Sequence, residues 1–263
     1  MTAVLEMASV SRRFGGLVAV DAVDVAVPEG EIRGLIGPNG AGKTTLLNLI
    51  GGQVSVSSGR IRLDGVEIAD LRPDRRTALG IRRTFQNLKL FRDMTVLENV
   101  MVGLHTKTRS EILRAIMRSP GQRREEAWMA EEARRVLAVV GLSAYAGLQA
   151  ASLAYGHRRL LEIARAIVAK PRLLLLDEPA AGLNRTEAVE LVRLIRRIND
   201  DGVTIILVEH HMDVVMTVCT TITVLNYGKL LAEGLPDTIR NDPEVIEAYL
   251  GRGDIAEQVL GNA

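Results

Sequence analysis

The chain has 263 residues, of which 47% are hydrophobic and 25% charged, with a formal net charge of +1. That length can bury a substantial core as one α/β domain with an inserted lobe, and near-neutrality argues against a protein that coats nucleic acid or a bare anionic membrane. The lone cysteine, Cys219, leaves no internal disulfide and no cysteine-based metal cluster, and reads as a small buried hydrophobe near a strand start.

The opening "MTAVLEMASVSRRF" lacks the apolar centre of a secretory signal. No apolar run approaches the roughly 20 residues that span a bilayer. The expectation is a cytosolic chain whose membrane link passes through another protein. Residues 1–32 alternate short β-rich runs with turn residues and predict an antiparallel subdomain. "IRGLIG" is then a buried strand running into "PNGAGKTT" and a helix. Residues 37–44 fit G-x-x-x-x-G-K-[ST] between that strand and helix. Gly40 and Gly42 let backbone N–H groups close around phosphate oxygens. Lys43 would bridge the β- and γ-phosphates, and the Thr44 hydroxyl would ligate Mg²⁺.

The basic run Arg72, Arg75, Arg76, Arg82 and Arg83 has no interleaved aromatics and reads as a solvated face. From about Asn87 to Ser152 the texture is helical. Met129, Ala133, Val136 and Val140 recur at helical spacing, and Glu131 stands four residues before Arg135. "SPGQ" (119–122) predicts a break between helices on either side. His105 stands alone, with no metal-ligand partner at useful spacing. "SLAYGHRRLLEIARA" (152–166) begins as a phosphate-facing helix start and continues as an amphipathic helix. "RLLLLDEP" is an apolar strand delivering Asp177 and Glu178 at its carboxyl end, where open α/β sheets place ligands. Asp177 would hold Mg²⁺, directly or through water, and Glu178 would polarise an attacking water. "VTIILVE" and "TITVL" continue the strand–helix alternation of a parallel-sheet ATPase core, with Met212 and Met216 on a packed helix face.

Together these residues resemble the ATP-binding subunits of ABC transporters, and the resemblance spans essentially the whole chain. It implies an α/β P-loop fold with a mainly parallel core sheet, an N-terminal antiparallel β subdomain and an inserted helical lobe. The expected division is 1–86 and 153–250 for the ATP-binding core, 87–152 for the lobe and 251–263 for a C-terminal tail. Residues Gly37, Pro38, Asn39, Gly40, Ala41, Gly42, Lys43, Thr44 and Thr45 would bind ATP. Phe14 matches the aromatic that stacks on adenine; an ordinary core phenylalanine is its plain alternative. Gln86 matches the glutamine that touches Mg²⁺ and water, which makes Thr44, Gln86 and Asp177 the expected metal set. His210 matches the switch histidine at the γ-phosphate, beside an exposed His211. Glu178, His210 and Gln86 are the expected catalytic group.

In that family the helix start is the signature motif, which completes the nucleotide site of the other subunit in a head-to-tail dimer. Leu153 and Gly156 match it, whereas Ala154, Tyr155 and His157 depart. Its main resource, a helix N-terminus with free amides, survives those changes. Ala154 lacks one hydroxyl-to-anion hydrogen bond, worth about 1.5–3 kcal/mol, and His157 keeps a donor. Asn184 and Arg185 stand where relatives carry Asp and Pro.

"RTFQNLKLFRDMTVLENVMVGLH", "LAYGHRRLLEIARA", "LDEPAAGLN" and "NDPEVIEAYLG" look like the larger ATPase of branched-chain amino acid (Liv-type) importers. That resemblance implies a second ATPase subunit, in a heterodimer or, in isolation, a homodimer. It further implies integral permease subunits, an indirect periplasmic or extracellular binding protein, and no nucleic acid. Leu90 and Phe91 would then face a short cytoplasmic permease helix, at the cytoplasmic face of the inner membrane. Lipopolysaccharide-export and iron–sulfur assembly ATPases are the alternatives.

Overall fold

The computed structural model describes residues 3–104 and 120–250. Strands β1 (Ala3–Phe14) and β2 (Leu17–Pro28) pair antiparallel. In β2 the valines at 20, 23, 25 and 27 are buried while most of their neighbours face outward, close to the alternation of a sheet covered on one side. β4 (Ser58–Leu63) adds to the other edge of β1 and carries β5 (Val66–Glu67), giving the order β2-β1-β4-β5. The antiparallel unit is therefore not confined to residues 1–32; half of its strands come from beyond the glycine-rich loop.

The second sheet has the order β10-β9-β3-β8-β7-β6. Its strands are β3 (Ile32–Ile36), β6 (Ile81–Arg83), β7 (Leu173–Asp177), β8 (Thr204–Val208), β9 (Thr221–Asn226) and β10 (Lys229–Gly234). All neighbours pair parallel except β10, which closes one edge antiparallel. Every residue of β3, β7 and β8 is buried, as strands covered on both faces require. The pleat of β7 divides its leucines between two cores. Leu173 and Leu175 face α1 (Lys43–Gly51) and the antiparallel sheet. Leu174 and Leu176 face α5 (Tyr155–Ile167) and α6 (Arg185–Asp200). Each fully buried leucine contributes about 1.5–3 kcal/mol.

The lobe holds α3 (Val96–Val102) and α4 (Pro120–Val139), with α3 packed on both α4 and α5. Met129, Ala133 and Val140 are buried in that contact, with Val136 packed against it, as their spacing predicts. Residues 120–122 of the expected break belong to α4, and the stretch it was to separate from α4 lies outside the described residues. His105 and the tail 251–263 lie outside the described residues, as does the chain before Pro120 back to residue 105. Three short helices, α7 (Met212–Val218), α8 (Pro236–Arg240) and α9 (Pro243–Leu250), cover the far side, with Met212 and Met216 packed on the core. Among the described residues no helix is long and apolar enough to cross a membrane.

The basic run is not one solvated face. Arg72 and Arg75 are exposed, but Arg76, in α2 (Pro73–Ala78), is buried. Its guanidinium donates to the carbonyls of Leu49, Ile50, Leu71 and Ala69. Arg83 is buried against Asp177.

Candidate functional site

The strand β3 ends in the glycine-rich loop, and Gly42 caps α1 with φ 104°. A Cβ there would lie 2.6 Å from the Ala19 carbonyl oxygen, so only glycine lets the helix start so close to β2. No side chain caps α1 and no acid stands in its first turn, which leaves its amides open to an anion. The buried Lys43 turns back over the loop, its Nζ donating to the carbonyls of Gly37 (2.6 Å) and Pro38 (3.0 Å). Burial lowers its pKa, and the nearby Glu178 and Asp177 carboxylates oppose that shift. The loop lines a cavity of about 460 Å³ together with Leu17, Val18, Ala19, Tyr227, Glu178 and His210.

Asp177 and Glu178 arrive together but in different settings. Asp177 is buried and its Oδ2 accepts from Arg83 Nη2 at 2.8 Å, while its amide donates to Thr84 Oγ1 at 3.3 Å. Arg83 also donates to Asn48 Oδ1 of α1 at 2.6 Å, tying both halves of the site to β6. Glu178 sits in the left-handed region at φ 49°. Its two oxygens are both engaged: Oε2 accepts from Gln86 Nε2 at 2.7 Å, and Oε1 lies 2.9 Å from His210 Nε2. A carboxylate facing Nε2 assigns the ring proton to that nitrogen. Gln86, Glu178 and His210, from three separate segments, thus converge on one point.

The buried Glu209 was not singled out by sequence, yet it accepts from the amides of Ala180, His210 and His211. It fixes the turn after β7 against the turn after β8. The only sequence signal is a glutamate ending an apolar strand. His211 is exposed, with Nδ1 3.2 Å from the same carboxylate.

The remaining expected residues are scattered around this centre. Phe14 is 44% exposed with the Arg12 guanidinium 4.4 Å from its ring centroid, so it is no core phenylalanine. The helix start 153–157 is elsewhere: none of its residues lines the cavity. Leu153 is buried in the core and anchors the motif rather than facing outward. Ala154 caps α5 without a side-chain hydrogen bond and is exposed, as is Tyr155. His157 packs at a tilt against Tyr145, ring centroids 4.7 Å apart and planes 47° from parallel. A Cβ on Gly156 would come 2.6 Å from Glu187 Oε1, so a side chain there disturbs its own subunit first. Asn184 caps α6, its side chain accepting from the Glu187 amide and Glu187 accepting in return, a cap that Asp would make equally well. Phe91 is exposed, while Leu90 is half-buried against the core.

Of the expected metal set Thr44, Gln86 and Asp177, all oxygen donors, Thr44 lines the cavity, while Asp177 is bonded to Arg83 and Gln86 to Glu178. Among the described residues no three His, Cys, Asp or Glu side chains cluster as a self-sufficient metal cage. A hard cation that takes one or two protein oxygens and otherwise phosphate and water fits that set, and magnesium is such a cation.

The chain matches the family model described as ABC transporter over residues 20–181. A second model, described as branched-chain amino acid ATP-binding cassette transporter, matches residues 229–255. The high-affinity branched-chain amino acid transport ATP-binding protein BraF of Pseudomonas aeruginosa is 44% identical over 94% of this chain and 98% of its own length. The LivG protein of Escherichia coli, of the same description, is 44% identical over 91% of this chain and 94% of its own. Among solved structures, a nucleotide-free ATP-binding cassette from an ABC transporter superposes with a TM-score of 0.82 at 30% identity, covering 94% of this chain and 98% of that one. An ADP conformation of an ABC transporter cassette matches with the same TM-score of 0.82 at 28% identity, over 95% of this chain and 100% of its own. With the phosphate loop, Glu178 and His210 lining one cavity, Gln86 bonded to Glu178 from outside it, and these matches along nearly its whole length, the chain belongs to the ABC transporter family of ATP-binding cassettes.

Proposed function

We propose that this chain binds and hydrolyses ATP to power an importer of branched-chain or other hydrophobic amino acids. The observation that carries the reading is Glu178. It directly follows the buried strand β7, is gripped by Gln86 and His210, and lines the same cavity as the Lys43 loop. In this reading the amides of residues 37–45 and the Lys43 ammonium hold the phosphates, and the base lies between Phe14 and the Leu17–Ala19 wall. Magnesium, when bound, neutralises phosphate charge, with Thr44, Asp177 and Gln86 as its protein side. Glu178 orients water for attack on the γ-phosphate and takes its proton. His210 and Gln86 hold that carboxylate in line, and the products are ADP and phosphate.

Residues 153–157 would complete the site of a second ATPase subunit, whose own helix start would complete this one. Exposed Phe91, Met94 and Leu148 are the proposed permease contacts, with the half-buried Leu90 behind them. A permease at the inner membrane would receive cargo from a periplasmic or extracellular binding protein, and this chain would sit at the cytoplasmic face. The second family match and the branched-chain names of the relatives support this cargo class over lipopolysaccharide export or iron–sulfur assembly.

The test is Glu178→Gln. ATP binding should persist and turnover should fall at least about a hundredfold. Near-normal turnover by folded Glu178→Gln protein overturns the assignment.

A further inference from the structure

The loop from Thr84 to Thr95 carries Gln86, yet it lies between β6 and α3 and belongs to no strand or helix. Its last bond to the sheet is the Thr84 amide to the Leu175 carbonyl at 2.9 Å. Beyond that point the loop is gripped by two buried side chains of α5. Arg159, fully buried, donates through Nη1 to the Phe85 carbonyl (2.8 Å) and through Nη2 to the Gln86 carbonyl (3.0 Å). Glu162, also buried, accepts from the amides of Phe85 and Lys89 at 3.4 Å each. The pair is internally neutralised at 3.2 Å, and Arg159 Nη2 is further steadied by Tyr155 Oη at 3.1 Å.

We infer that Arg159 is a positioning residue for hydrolysis: with Glu162 it clamps the backbone at 85–89 so that Gln86 reaches Glu178, and Tyr155 sets the clamp. The inference rests on the ATPase reading above for its catalytic consequence, but not for the clamp itself. A buried ion pair adds little stability over an apolar pair of equal volume. What it supplies here is direction: carbonyls held by the cation and amides held by the anion, in a segment with no ladder to hold it. From Tyr155 the hydrogen bonds run without interruption through Arg159 to the Gln86 backbone. The Gln86 side chain then leads to Glu178 and His210. Tyr155 also packs against the turn after β7, since a Cβ on Gly182 would lie 3.0 Å from its ring. Tyr155, a departure from the family signature, therefore touches both the clamp and the turn after β7 of its own subunit.

The experiment compares wild type, Arg159→Lys, Tyr155→Phe and the charge-free double variant Arg159→Met/Glu162→Met, which keeps volume and should fold. Amide hydrogen exchange at Phe85 and Lys89 should quicken at least about tenfold in the double variant, with the core strands still protected. ATP affinity should stay within about threefold while kcat falls about tenfold or more. Arg159→Lys, which keeps the charge but fewer donors, should lie between. Adding the double change to Gln86→Ala should cause no further loss of kcat, because both act through one side chain. Unchanged exchange at 85 and 89 overturns the clamp whether or not the protein hydrolyses ATP. Normal kcat in the double variant, or losses that multiply with Gln86→Ala, overturns the positioning role. Quickened exchange in a protein whose wild type has no ATPase activity overturns the ATPase reading and the catalytic consequence with it.

Discussion

Asp177 and Glu178 are adjacent and share one charge, yet their surroundings give them different work. Asp177 is buried and held by Arg83, whereas Glu178 projects from a left-handed residue toward the cavity. A non-glycine residue at φ 49° costs on the order of 1–3 kcal/mol, and buried Glu209 fastens the same turn through the Ala180 amide. Cys219 has the opposite character. Its burial, assisted by Glu209 and Glu31, pushes the thiol pKa up to about 12. It also fills the space beside Gly34, where an added Cβ would lie 2.9 Å from Sγ. Iodoacetamide at pH 8 should therefore leave the native thiol unmodified and label it after denaturation, because the thiolate fraction stays negligible until the pH nears that pKa. Rapid labelling of the folded protein, followed by mass spectrometry, would contradict both the burial and the shift.

At the scale of elements, α6 offers a direct test of local structure. Asn184→Ala removes the side-chain acceptor for the Glu187 amide and should cost about 1 kcal/mol in denaturant unfolding, whereas Asn184→Asp should be neutral. A full loss on changing to Asp would show that the cap is not what holds Asn184. The motifs of this chain were legible in sequence because each is short-range. The loop at 37–44 lies between its own strand and helix, four leucines lead directly to Asp177 and Glu178, and His210 follows β8 by two residues. The Met129–Val140 stripe was legible for the same reason. What stayed hidden was long-range or bound to backbone. Arg76 and Arg83 read as solvated, but their partners are main-chain carbonyls and an aspartate 94 positions away, neither of which leaves a trace in composition. The clamp by Arg159 and Glu162 joins positions 73 or more apart. Strands β4, β5, β6 and β10 are short and carry charged residues, as strands at or near sheet edges do, and so gave little alternation to read.

At the scale of the whole molecule, the cavity and the exposed start of α5 are separate surfaces of one subunit, since none of residues 153–157 lines the cavity. In the proposed dimer each ATP is held by one subunit's loop and completed by the other subunit's α5. Ala154→Asp probes this without the collision that any change at Gly156 causes with Glu187. An N-cap Asp strengthens α5 by accepting from its first amides while setting a negative charge where phosphate would dock. The measurement is hydrolysis by purified mixed dimers of this chain, separated by two affinity tags. One pairing puts Ala154→Asp and Lys43→Ala on opposite subunits; the other puts both on one subunit opposite wild type. With α5 acting across the dimer, opposite subunits leave one intact composite site and retain activity, while the doubly changed subunit silences both sites. The reverse pattern, activity only when both changes share one subunit, contradicts the claim.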